Sequence, residues 1–236
     1  MAGPVAGRSD GFSTHRPEPA VLPPRPCAWL GLVAVCAALV VVVLGVLYAG
    51  HSGPGAVDRW FVAPTDDSVK PPWRAVALVV DFLAEPAGSA LVMAAVVAGL
   101  LWLRRPRAAV SAVVAAGLTV VVATLVKSLV GRTIHGPDNL SYPSGHTAFL
   151  TAVALVVTLT LVRRTALALL VALAAGSVMG WAQVALSAHY PTDVLAGWCT
   201  ALAVAPVAAW GVDRVADRVA TRRAGRPADT GEPARR

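Results

Sequence analysis

The chain has 236 residues, of which 56% are apolar and only 14% are charged. A soluble domain of this length needs more polar surface than that, so a soluble enzyme or binding domain is excluded and a membrane protein is indicated. The net charge of +7 does not indicate a nucleic-acid partner, because the arginines stand in short clusters between long apolar blocks.

Six apolar blocks approach the roughly 20 helical residues that cross a hydrocarbon core about 30 Å thick. A polar, proline-rich leader (1–27) precedes them and is expected to be disordered, and a basic tail (213–236) follows and is expected to lie in solvent near anionic lipid. The predicted fold is therefore all-α, a polytopic membrane helical bundle of about six transmembrane helices within residues 28–212. The predicted spans are 28–49, 86–103, 108–130, 144–162, 165–186 and 191–212.

The first span follows the leader directly. Its apolar block is too long for the core of a signal peptide, and no small-residue cleavage site follows it. We therefore expect this helix to be retained as a membrane anchor.

The second span begins inside a longer apolar run, residues 75–103, which Asp81, Glu85 and Pro86 interrupt. A continuous helix of that length would measure about 43 Å, which is too long for one upright span. Since proline suits a first helical turn, we predict an interfacial helix over 75–85 and a span that begins near Pro86. One long tilted helix is the alternative.

The loops carry an uneven share of positive charge. The leader, the two loops at 104–107 and 163–164, and the tail hold fifteen lysines and arginines, whereas the opposite set of loops holds five. The more basic side faces the cytoplasm in membrane proteins. We therefore expect an integral protein of the cell (inner) membrane with both termini in the cytoplasm.

Polar residues from distant parts of the sequence fall at the opposite, extracytoplasmic ends of the predicted spans. They are Lys127, Ser144, Gly145, His146, Gln183, His189 and Asp193. Each has an ordinary structural alternative: a lysine can snorkel to the interface, a serine can cap a helix, and an aspartate suits a first helical turn. Their common depth nevertheless indicates a site, because ionisable groups at membrane depth are usually functional.

Three segments carry a family resemblance. Lys127 with Gly131-Arg132, Tyr142-Pro143-Ser144-Gly145-His146-Thr147, and His189-Tyr190-Pro191-Thr192-Asp193 resemble the three signatures of the type 2 phosphatidic acid phosphatase superfamily. The resemblance extends from about residue 58 to residue 211, and the six-span layout is similar too. P-S-G-H at a helix start with H-x-x-x-D about forty residues later is a specific pair, whereas H-x-x-x-D alone would be weak.

The resemblance implies roles for the residues. His189 would be the nucleophile that forms a phosphohistidine, Asp193 would orient it, and His146 would protonate the leaving group and then activate water. Lys127, Ser144 and Gly145 would bind the phosphate at a helix N-terminus, where backbone N–H groups attract anions. No cofactor is implied, and the chemistry needs no metal.

The chain departs from the family signatures at two expected phosphate-binding arginines. Ile134 and His135 stand where the first signature ends in Arg-Pro, and Ala182 and Gln183 stand where the third begins with Ser-Arg. We expect Arg132 to take over one of these contacts. Gln183 is a further candidate, although an amide donor without charge binds an anion less strongly.

The predicted function is a metal-independent membrane phosphatase that hydrolyses a lipid-linked phosphate or pyrophosphate at the extracytoplasmic leaflet. Its partners would be membrane lipids and a lipid phosphate or prenyl pyrophosphate substrate. Two alternatives stand beside it: a lipid phosphotransferase, and a catalytically weak member of the family that binds or moves a lipid phosphate. The missing arginines favour the weak binder, while the retained His146, His189 and Asp193 favour the enzymes.

Overall fold

The computed structural model of the chain describes residues 19–22, 27–62 and 69–224. These residues form helices joined by short loops, and the described part contains no β-strand beyond one isolated bridge between Thr133 and Leu140. The helices are α1 (Cys27–Leu47), α2 (Ala56–Val62), α3 (Trp73–Phe82), α4 (Pro86–Trp102), α5 (Pro106–Val130), α6 (Gly145–Val162), α7 (Thr165–Ala185) and α8 (Pro191–Ala224). The predicted all-α fold is confirmed.

Five of these helices are long and apolar enough to cross a membrane, and α3 with α4 forms a bent pair that supplies the sixth. The two helices of the pair meet at 65°, so the predicted break in the apolar run is confirmed and the single tilted helix is not seen. Pro86 opens α4 at its first position. Gly88 permits the bend, because a Cβ at this position would lie 1.6 Å from the carbonyl oxygen of Phe82.

The bundle is built around α8, which packs against α1, α5 and α6, while α6 also packs against α5 and α7. Small residues form much of this core, and close approach of helix backbones is how membrane helices gain packing contacts without a hydrophobic driving force. Gly197 allows one such close approach: a Cβ there would lie 2.3 Å from the carbonyl oxygen of Ser144. The start of α6 therefore rests directly on the backbone of α8.

The last helix is longer than predicted. Hydropathy places the end of the span near residue 212, but α8 continues to Ala224. The extension is polar yet helix-compatible, and Arg107 pairs with Asp213 at 2.6 Å and with Asp217 at 2.8 Å. Hydropathy marks where a helix leaves the membrane, not where it ends. The tail residues 225–236 lie outside the described residues.

The predicted leader lies largely outside the described residues as well. Of its described part, the backbone N–H groups of Val21 and Leu22 donate to the carboxylate of Asp213, and Arg163 donates to the carbonyl of Ala20. The leader and the loops after α4 and α6 therefore lie at one end of the bundle. The candidate site residues gather at the other end.

Candidate active site

The N-terminus of α6 is the first component of the site. Ser144 caps this helix: its hydroxyl oxygen accepts from the backbone N–H of Thr147 at 3.4 Å, and its own N–H donates to the carbonyl of Asp193 at 2.9 Å. Gly145 is the first helical residue, and the ring of His146 extends from the first turn. The predicted P-S-G-H helix start is thus formed, and the bond to Asp193 joins it to the start of α8.

His189 and Asp193 form the second component. Asp193 is fully buried in the first turn of α8, and His189 precedes that helix and is 8% exposed. The Nδ1 atom of His189 lies 3.8 Å from Oδ2 of Asp193. That separation is too long for a hydrogen bond, and Nδ1 has no hydrogen-bond partner among the described residues, so a small closure would complete the pair.

The surroundings of His189 favour its neutral form. Burial lowers the pKa of His189, and the nearby Lys127 ammonium lowers it further. The carboxylate of Asp193 and the backbone of Ser141 act in the opposite direction without overcoming burial. A neutral imidazole retains the nitrogen lone pair that a nucleophile needs.

His146 faces a carboxylate that the motifs do not contain. Oδ1 of Asp81, at the end of α3, lies 3.7 Å from Nε2 of His146. The same oxygen accepts a hydrogen bond from the side-chain amide of Gln183, which is 1% exposed. Gln183 therefore lies beside the candidate site, and its amide donor is directed to Asp81. The bent α3–α4 pair brings this acid to the site.

Lys127 lies in the last turn of α5 and is partly buried. Its ammonium donates to the carbonyl of Leu140 at 2.9 Å, which fixes the loop between α5 and α6. The lysine is also close enough to His189 to affect its pKa. One donor is thus used in the structure, and two remain for a phosphate.

Arg132 is placed differently from the prediction. Its side chain is fully buried, and its guanidinium donates to Asp58 at 2.6 Å, to Asp193 at 2.7 Å and to the hydroxyl of Thr192 at 2.6 Å. The charge is taken up by carboxylates of the protein. Its surroundings therefore do not support the predicted role of Arg132 as a substitute phosphate-binding arginine.

Ile134, one of the two positions without a family arginine, borders a small cavity. Its volume is about 170 Å³, and its lining includes Ile134, His135, His189 and Tyr190. Ile134 is buried, and Nε2 of His135 pairs with the carbonyl of Ser187 at 2.7 Å. Neither side chain supplies a positive charge comparable to a guanidinium.

Two acids of the site were missed in the sequence. Asp58 stands on the short α2 in a polar segment without a motif, and nothing in its neighbourhood pointed to Arg132. Asp81 gave a signal, since it is an ionisable residue within an apolar run. From the sequence, Asp81 indicates only the break between α3 and α4.

Comparison with protein-family models identifies the site region. Residues 125–216 match the model of the PAP2 superfamily, and all three motif segments lie inside that range. The superfamily prediction is confirmed. A search of curated proteins gave no significant match.

A solved PAP2 structure resembles the whole bundle. It is a transmembrane PAP2-type phosphatidylglycerolphosphate phosphatase from Bacillus subtilis, which matches with a TM-score of 0.58 over 80% of this chain and 96% of that chain. The two sequences are 18% identical, so the likeness shows a common fold. The PAP2 motifs of this chain therefore stand on a fold like that of a membrane PAP2 protein.

Proposed function

We propose that this chain is a phosphatase that removes a phosphate from a lipid-linked phosphate or pyrophosphate at the extracytoplasmic leaflet. The observation that carries the proposal is the meeting of His146, His189 and Asp193 with the N-terminus of α6 at one end of a PAP2-type membrane bundle. A site at the interface can take a headgroup while the lipid tail stays in the bilayer. The excess of positive charge at the opposite end of the bundle supports the outward orientation, with both termini in the cytoplasm.

The first step transfers the phosphoryl group to the enzyme. Nε2 of His189 attacks phosphorus, the bond from phosphorus to the leaving oxygen breaks, and His146 gives that oxygen a proton. Once the 3.8 Å gap between them closes, Asp193 accepts from Nδ1–H of His189, which leaves the lone pair on Nε2. Lys127 and the N–H groups at the start of α6 stabilise the charge on the phosphoryl oxygens.

The second step returns the enzyme to its first state. Water attacks the phosphohistidine, His146 takes a proton from the water, and the bond between phosphorus and Nε2 breaks to release inorganic phosphate. Asp81 is suited to hold His146 in both steps, because it faces Nε2 and leaves Nδ1, the other ring nitrogen, to exchange the proton. No residue in these steps requires a metal ion.

The test is phosphate release from a panel of prenyl and glycerolipid phosphates by the purified protein in detergent. Wild type should release phosphate in the presence of EDTA, with inhibition by vanadate, and His189→Ala should lose several orders of magnitude of turnover. Turnover that is abolished by EDTA and restored by magnesium would contradict the mechanism. Binding of a lipid phosphate without release would favour the weak binder, and a product phosphorylated on an added alcohol would favour the phosphotransferase.

A further inference from the structure

Three ionic groups from separate parts of the chain meet beside His189. They are Asp58 on α2, Arg132 in the loop after α5, and Asp193 on α8, and all three side chains are fully buried. The guanidinium lies between the rings of Tyr48 and Tyr190, at 4.1 Å and 4.5 Å from their centroids. Both terminal nitrogens of the guanidinium donate to protein groups, while Nε has no hydrogen-bond partner among the described residues.

The two oxygens of Asp193 have different partners. Oδ1 accepts from Arg132, while Oδ2 accepts from the backbone N–H of Tyr190 at 3.0 Å and faces the ring of His189. Because a carboxylate can rotate about its last bond, a contact on one oxygen fixes the direction of the other. Arg132 therefore determines how Asp193 presents Oδ2 to His189.

Asp58 fixes both Arg132 and the start of α8. Its Oδ2 accepts from Arg132 and from the backbone of Gly55, and its Oδ1 accepts from the backbone N–H of Thr192 at 2.9 Å. Burial acts to raise the pKa of Asp58, but Arg132 and the backbone donors of Thr192 and Gly55 hold it below its ordinary value. The carboxylate is thus ionised at neutral pH and anchors the segment that carries Asp193.

We propose that Asp58 and Arg132 are positioning residues for the phosphoryl transfer, which act through Asp193 on His189 and do not bind the phosphate. The inference rests on the proposed function and assigns Arg132 a different task from that of a phosphate ligand. A positioning residue changes kcat and the protonation of the group it serves. A phosphate ligand changes KM and the affinity for a phosphate mimic.

Three variants test the assignment in the full-length protein. Arg132→Lys keeps the charge but loses the planar guanidinium that reaches two acids at once. We expect kcat to fall about a hundredfold, while KM and the inhibition constant of sulfate, a tetrahedral phosphate mimic, stay unchanged. Asp58→Asn removes one negative charge, so the acid limb of kcat/KM should move to lower pH as kcat falls. The double variant Asp58→Asn/Arg132→Met has the same net charge as wild type. The acid limb of kcat/KM should therefore return to its wild-type pH, while kcat stays low.

The control is Arg107→Lys, the same substitution in the ion pair with Asp213 at the other end of the bundle. It should lower thermal stability without changing kcat per folded molecule or the acid limb. The other groups that act on His189 are Asp193, Lys127 and His146, and these remain unchanged in every variant. Arg132→Lys with normal kcat but a raised inhibition constant of sulfate would overturn the proposal.

A second measurement does not depend on turnover. The five histidines can be labelled with nitrogen-15 and titrated by NMR in detergent, with His189→Gln used to assign the signal of His189. Asp58→Asn should make His189 titrate at lower pH than in wild type. If His189 titrates at the same pH in Asp58→Asn as in wild type, the positioning role is overturned. If the titration shifts but wild type releases no phosphate, only the proposed phosphatase function is rejected.

Discussion

Replacement of Gly197 by alanine would push α8 away from the start of α6. The new Cβ would lie 2.3 Å from the carbonyl oxygen of Ser144, and such contacts are essentially never shorter than 3.0 Å. The two backbones must therefore separate by at least about 0.7 Å, at a cost of about 1–3 kcal/mol for overpacking. The same shift moves the helix N-terminus relative to Asp193, and a misplacement near 1 Å costs about a hundredfold in rate.

The assay combines thermal unfolding in detergent with phosphate release from a lipid phosphate. Gly211→Ala is the matched control, because Gly211 lies in the same helix and an added Cβ meets nothing within 4 Å. It should stabilise the helix by roughly 0.5–1 kcal/mol and leave turnover unchanged. If Gly197→Ala unfolds and turns over like wild type, the contact between α6 and α8 is not as tight as described and the reasoning is refuted.

Three other predictions concern the pH profile, the new acid and the topology. Because burial lowers the pKa of His189, the acid limb of kcat/KM should lie below about pH 6.5, and a limb above pH 7 would contradict a buried neutral nucleophile. Asp81→Asn should lower kcat about tenfold. In a His146→Ala background the same change should lower kcat little further, because Asp81 acts through His146. With the native cysteines removed, a cysteine at Asn139 should react with an impermeant thiol reagent in intact cells and one at Arg105 should not; the reverse pattern would place the site in the cytoplasm.

The spans and the motif residues were predictable for different physical reasons. Apolar blocks of about 20 residues report directly on membrane crossing, so α1 and α5 to α7 begin and end within about two residues of the predicted spans. Pro86 gave the break before α4. The end of α8 was not predictable, because a polar helix outside the membrane has no hydropathy signal.

The motifs gave the reacting residues but not their supports. His189 and Asp193 are four residues apart, so their pairing is predictable from the motif. Asp58 and Arg132 are 74 residues apart, and only the fold brings them into contact. The sequence predicts Arg132 as a phosphate ligand, because it is a basic residue near a phosphate-binding motif. The acids that surround it come from elements that carry no motif.

The last helix carries an arginine-bound aspartate near each end of its apolar part, residues 191–212. Asp193 pairs with Arg132 and Asp213 pairs with Arg107. The two aspartates are 20 positions apart, which is about 30 Å along a helix and equals the thickness of a hydrocarbon core. A helix held at both boundaries cannot easily slide or tilt to suit a thinner or thicker bilayer. A mismatch between the helix length and the bilayer thickness must then be accommodated by deformation of the surrounding lipid. Strain that remains in α8 would displace Asp193, the residue that orients His189.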